Sequence, residues 1–186
     1  GGSSFDQLQA LESLTLLGLR GGGPAVALAG ARLRDEVEYV RDAAAEALGK
    51  VAARDDPQAL DLIFDCLLHE RVGVRQAAAT AVAKVASRGN VQALGRLCGR
   101  LSDNPAVARE ALEGLAGLAP RGDEAVAADL AACLASPEFT MRAAAARALG
   151  CVGRRGAQWL LTLLLERLRD REAYVRQAAA EALGLL

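Results

Sequence analysis

Small and apolar residues return along this chain with a helical rhythm set inside a longer one. Counting from Val40, they recur at +4, +7, +8 and +11, as Ala44, Ala47, Leu48 and Val51. The count restarts at Val74, Val107, Met141 and Val175; the second round gives Ala78, Ala81, Val82 and Val85, the last Ala179, Ala182, Leu183 and Leu186. Apolar positions three and four apart line one stripe of an α-helix. A shorter apolar series precedes each anchor at −14, −11 and −7: Val26, Ala29, Leu33; Leu60, Ile63, Leu67; Ala127, Leu130, Leu134; Leu161, Leu164, Leu168. The third repeat fits with Leu94, Leu97 and Leu101 if one residue is missing from its turn. The steps between anchors are 34, 33, 34 and 34 residues. A fixed period of this size predicts an all-α chain of stacked helix pairs.

The divisions follow. Repeats are expected at about 24–55, 56–88, 89–121, 122–155 and 156–186. Residues 5–17 form one more amphipathic helix, read as the second helix of an incomplete leading repeat, and 20–23 a flexible break. Gly1-Gly2-Ser3-Ser4 reads as linker. Asp56-Pro57 should open a first helix, with Asn90 and Asp123 capping its equivalents. Asn104-Pro105 and Ser136-Pro137 should do the same for two second helices. Glycine at +9 (Gly49, Gly150, Gly184) falls inside a helix, where it costs about 1 kcal/mol relative to alanine. Close approach of a neighbouring backbone is the expected compensation. The last residue, Leu186, is an apolar anchor with no polar cap after it, so a longer array or a covering partner is expected.

Composition and charge narrow the function. The net charge is −1, which supplies no basic field for nucleic acid. No uninterrupted apolar run reaches the roughly 20 residues of a membrane span. Cys66, Cys98, Cys133 and Cys151 contain no C-x-x-C spacing and read as core thiols, not as a metal site. Unpaired thiols fit a reducing intracellular compartment. The single histidine, His69, cannot serve a catalytic triad without further support. It reads as an exposed turn residue or a helix-end donor. No enzyme activity and no cofactor is expected.

The phrase Val-Arg-x-Ala-Ala-Ala-x-Ala-Leu-Gly, repeated at the anchors over about residues 24–186, resembles HEAT repeats. Its alanine-rich form is most similar to the subclass named after phycobilisome bilin lyases. The resemblance implies a right-handed superhelix, with the second helices lining its concave face. It also implies an acid–base ladder from Arg41, Arg75, Arg142 and Arg176 to Asp35, Glu70, Asp103 and Asp170; the third repeat carries Ala108 instead of arginine. The HEAT-like deoxyhypusine hydroxylase holds iron through His-Glu pairs on its second helices, and no second helix here carries one.

Function is sought where the phrase does not repeat. Position −1 reads Tyr39, Gly73, Ala106, Thr140, Tyr174, and position +2 reads Asp42, Gln76, Arg109, Ala143, Gln177. Fixed positions hold the frame, while varying ones face a partner or water. Tyr39, Asp42, Gln76, Arg109, Thr140, Tyr174 and Gln177 are the expected partner face, tyrosine being suited to interfaces by its area and polar tip. Phe139, placed in a turn, is a further candidate anchor. Trp159 is expected to pack on the preceding repeat or to dock outward. The leading reading is a non-enzymatic scaffold that docks another protein or the subunits of a complex. A bilin-lyase-like, chromophore-handling subunit and a nucleic-acid-binding solenoid are the alternatives.

Overall fold

The computed structural model describes residues 4–186; the Gly1–Ser3 part of the expected linker lies outside them, and Ser4 already opens a helix. The described residues are all-α. Their helices divide between two compact units, residues 1–87 and 88–186.

The first unit holds α1 (Ser4–Leu17), α2 (Gly22–Arg32), α3 (Glu38–Val51), α4 (Pro57–Cys66) and α5 (Val72–Val85). Here α1 packs on α3, and α3 packs on α5, which is the arrangement of second helices in consecutive repeats. α1 thus takes the place of a second helix ahead of α3. The expected flexible break is instead a 3-10 turn, Gly18–Gly21, after which α2 begins at once. Taken together, Phe5–Arg32 has the length and apolar composition of a membrane span, which a search for unbroken apolar runs missed. It is interrupted by Gly18 and Gly22, both at positive φ, and both α1 and α2 pack on α3.

The second unit holds α6 (Val91–Cys98), α7 (Pro105–Leu118), α8 (Glu124–Ala132), α9 (Phe139–Val152), α10 (Gln158–Arg167) and α11 (Ala173–Leu185), with a 3-10 turn at Cys133–Ala135. In it α7 packs on α9 and α9 on α11. The apolar stripe is the core: Val107, Ala111, Leu115, Ala145, Leu149, Val152, Val175 and Ala179 are fully buried. Alanine dominates because side chains that small let helices approach closely, so much of the core is backbone against methyl.

Of the glycines at +9, one meets a neighbouring backbone as expected, one a side chain, and one nothing. A Cβ on Gly150 would stand 2.8 Å from the Cα of Ala182, and one on Gly49 2.8 Å from the Cβ of Lys84. Gly184, in the same place on α11, has nothing within 4 Å.

Two loop devices recur. Before the second helices, a side chain at −5 accepts the N–H two residues on: Asp35 from Val37 (3.0 Å), His69 from Arg71 (3.1 Å), Ser136 from Glu138 (3.2 Å) and Asp170 from Glu172 (3.0 Å). His69 is thus a half-buried turn residue that accepts a hydrogen bond, which keeps the turn reading and replaces the helix-end donor. Ser136 does not cap α9 directly; Pro137 and Glu138 intervene, and Phe139 is the first residue of the helix and not part of a turn. The other caps stand as expected, with Asp56, Asn90, Asn104 and Asp123 each accepting a first-turn N–H.

The second device joins consecutive repeats. At +15 a residue with positive φ (Asp55, Gly89, Gly122, Gly156) closes the turn after the second helix. Its N–H donates to a carbonyl at the end of the next second helix: Val85 (3.1 Å), Leu118 (2.7 Å), Val152 (2.6 Å) and, one residue past α11, Leu186 (3.1 Å). The preceding arginine adds side-chain bonds to the same helix ends, Arg54 to Lys84 and Ala86, and Arg88 to Ala119. Helix C-termini leave carbonyls without intrahelical partners, and the neighbouring turn satisfies them.

Candidate functional site

The +1 arginines are occupied by the frame. Each sends one guanidinium nitrogen to two carbonyls of the loop before its own helix: Arg41 to Asp35 and Glu36, Arg75 to His69 and Glu70, Arg142 to Ser136 and Pro137, Arg176 to Asp170 and Arg171. Arg142 also reaches the next repeat, where Nε and a terminal nitrogen hold the Asp170 carboxylate at 2.8 and 2.9 Å. That pair is buried on both sides, and the hydrogen bond from Arg142 holds the Asp170 carboxyl down at about 2. The ladder reading of the arginines therefore holds at this step, while the carbonyl bonds stay within each repeat.

The residues expected to face a partner lie in both units. In the first, Tyr39 and Asp42 are exposed on α3, and Gln76 is half-buried on α5. Beside them Lys84 bridges to Glu46 at 2.7 Å, tying α5 to α3. Two members of the varying series turn out to belong to the frame: Gly73 leaves room for the Arg41 guanidinium, and Ala143 is fully buried.

In the second unit Arg109, Thr140, Tyr174 and Gln177 are all exposed. Arg109, on α7, pairs with its neighbour Glu110 at 3.4 Å. Tyr174 and Gln177 instead join a built cluster. Tyr174, the second residue of α11, is 48% exposed, and Phe139, the first residue of α9, is 40% exposed. The two rings meet edge to face, centroids 6.5 Å apart and planes at 84°, a favoured aromatic geometry. Arg147, two turns along α9, lays its guanidinium 4.5 Å from the Tyr174 centroid. Its Nε faces Glu181 at 3.6 Å, and the Gln177 amide donates to the same carboxylate at 2.8 Å. Thr140 sits next to Phe139 on the exposed side. Sequence reasoning named Tyr174, Gln177 and Phe139 but missed Arg147 and Glu181. The signal was position +6, which reads Glu46, Thr80, Glu113, Arg147 and Glu181 and changes from acid to base at Arg147.

Trp159, 41% exposed, borders a crevice with Gly122, Asp123 and Ala127. A cavity of about 530 Å³ lies on the first-helix side, lined among others by Cys98, Ser102, Asp129, Cys133 and Met141. Burial first, then a hydrogen bond to Asp129, pushes the Cys98 thiol up to about 12; burial also raises Cys133. Thiols held protonated in this way are poor nucleophiles. Cys66 is buried, but Cys98, Cys133 and Cys151 are only partly so, which corrects the expectation of four core thiols. Among the described residues no group of three or more His, Cys, Asp or Glu could hold a metal ion.

Comparison with known proteins agrees with the helix-pair architecture. A family model described as HEAT repeats matches residues 6–83, 26–116 and 96–184. No curated protein matches the sequence. Among solved structures, YibA of Escherichia coli superposes with TM-score 0.69 at 20% identity, covering 98% of this chain and 70% of that one. A designed armadillo repeat protein in complex with the peptide (KR)4 gives TM-score 0.64 at 19% identity, covering 97% and 96%. An engineered protein gives 0.61 at 24% identity, covering 100% and 93%. At these identities the likeness concerns the fold.

Proposed function

This chain belongs to the HEAT-repeat family, and we propose that it is a non-enzymatic scaffold that docks a polypeptide partner through the exposed side of its second helices. The observation that carries this reading is the Phe139–Tyr174–Arg147–Glu181 cluster. Two half-exposed aromatic rings are held in place by side chains that have no role in the core. Aromatic and arginine side chains of this kind dominate binding energy at protein interfaces, and rings fixed beforehand lose little freedom on binding. The designed armadillo repeat protein of like fold binds a peptide, which supports a peptide-docking use of such a frame. The raised thiols at Cys98 and Cys133 support the non-enzymatic part, since neither offers a thiolate near neutral pH.

Selection of displayed random peptides against the protein tests the reading. Enriched peptides are expected to bind at least tenfold more weakly to Phe139→Ala and Tyr174→Ala, with far-ultraviolet circular dichroism unchanged. Failure to enrich any peptide, or equal binding by both variants, removes the proposal.

A further inference from the structure

We infer that the cavity on the first-helix side of the second unit is a binding site for a soft monovalent metal ion, Cu(I), held by the sulfurs of Cys98, Cys133 and Met141. The chain has four cysteines and one methionine. Three of those five sulfur-bearing side chains line this one cavity of about 530 Å³. Each comes from a different element: Cys98 ends α6, Cys133 opens the 3-10 turn after α8, and Met141 lies in the first turn of α9. The two thiols converge on one residue. Cys98 hydrogen-bonds to the Asp129 side chain, and Cys133 donates to the Asp129 carbonyl at 3.7 Å. Both thiols are half-buried, with the cavity on their open side.

The frame does not ask for these residues. The anchor position is Val40, Val74, Val107 and Val175 elsewhere, and only here is it methionine. The loop from Gly99 to Asn104 belongs to the 33-residue step, one residue short of the others. Ala108 leaves it without the +1 arginine that holds the equivalent loops. Leu101 and Ser102 of that loop form one wall of the cavity. A methionine alone at this anchor would be a gap filler. Beside two thiols on an open cavity, its thioether stands where a third ligand is needed.

The donor set selects the ion. Among the described residues no three His, Cys, Asp or Glu side chains converge. That leaves Zn²⁺ short of the ligands its sites use, and an iron–sulfur cluster short of its four thiolates. Thiolate and thioether together are soft ligands that favour Cu(I), and this closed-shell ion is satisfied by two or three of them. Binding involves no redox change. Two thiols, one thioether and Cu(I) give two copper–thiolate bonds, one copper–thioether bond and two released protons. Asp129, already bonded to Cys98, is the first acceptor for one of those protons. The protonated state of the free thiols is no bar, because the ion displaces the protons as it binds. The site does not depend on the aromatic cluster and stands or falls apart from it.

Competition for Cu(I) tests the inference. The reduced full chain is titrated under argon with Cu(I), supplied as its acetonitrile complex, against the chromophoric chelator bicinchoninate. One equivalent is expected to leave the chelator. X-ray absorption of the loaded parent should then show sulfur neighbours only, a result that needs no variant to fold. Cys98→Ser and Cys133→Ser should each weaken binding at least a hundredfold. Met141→Leu, which keeps the apolar volume, should weaken it at least tenfold. The double variant Cys66→Ala, Cys151→Ala should bind as the parent does, and far-ultraviolet circular dichroism checks that each variant is folded. No transfer of copper from the chelator, or nitrogen and oxygen neighbours around the metal, overturns the inference. Equal affinity in Met141→Leu, or binding that survives loss of both Cys98 and Cys133, overturns it as well, the last marking adventitious capture by any thiol.

Discussion

Tyr39 and Tyr174 occupy the same place in their repeats and are almost equally exposed, at 50% and 48%. Yet only Tyr174 has the aromatic wall and the cation described above. The difference is made by the repeat before it. Phe139 and Arg147 both belong to α9, on which α11 packs, so position −1 becomes an anchor only when the previous second helix carries a ring at −2 and a cation at +6. The helix on which α3 packs is α1. The frame thus places the tyrosine, and the neighbouring helix decides what the tyrosine can do.

That contrast can be broken from below. Leu149 is fully buried under the Arg147 turn of α9. Leu149→Asp leaves an unpaired charge there and should cost several kcal/mol. Thermal unfolding should fall sharply, with Tyr174 losing its fixed environment; a melting temperature within a degree or two of the parent would mean that the buried face of α9 is misassigned. The Arg142–Asp170 pair is the next support, because it ties the loop before α9 to the loop before α11. Asp170→Ala should destabilise by roughly 3 kcal/mol, since it strands a buried guanidinium. The native pair also predicts an acid limb. The Asp170 carboxyl titrates at about 2 when folded against an ordinary 3.8. Its contribution, about 2 kcal/mol, is therefore complete above pH 4 and is lost as pH falls toward 2. Denaturant titrations at pH 5 and pH 2.5 should differ in the parent more than in Asp170→Ala.

Smaller effects sharpen the comparison between α9 and α11 themselves. Gly150→Ala should destabilise by about 1–2 kcal/mol, because its methyl meets the Ala182 backbone and α11 must move. Gly184→Ala meets nothing and should stabilise by up to about 1 kcal/mol through helix propensity. Opposite signs at equivalent positions are the expected result in paired denaturant melts. Smallest is Arg147→Met, which removes the cation over Tyr174 at a cost of roughly 0.5–1 kcal/mol or less. It should alter the Tyr174 ring signals in an NMR spectrum while those of Tyr39 stay in place.

The frame was legible because every repeat states it again. Five copies of one spacing revealed the helix pairs, the buried stripe and the close backbone approach at Gly150, though not the open surroundings of Gly184. The binding side was only half legible, because variation has two causes that look alike in a sequence. Gly73 varies because the Arg41 side chain occupies its place, and Ala143 because it is fully buried; neither was free to face a partner. Arg147 and Glu181 went unread because a charge two turns along a helix gives no local sign that it points back across a neighbouring ring. The turn arginines, Arg54, Arg88 and Arg121, were overlooked for a related reason. They act on helix ends about thirty or more residues away, where no local pattern connects donor to acceptor.

The turn that closes each repeat has a consequence for how the molecule comes apart. A carbonyl at the end of a second helix is held by an amide from the repeat before it, so that helix cannot fray at its C-terminus without releasing a bond its predecessor owns. Opening is then shared between neighbours and does not stay local. The amides of Gly89, Gly122 and Gly156 are natural reporters of this. Their protection against hydrogen exchange should follow the helix ahead of them rather than the exposed turns in which they sit.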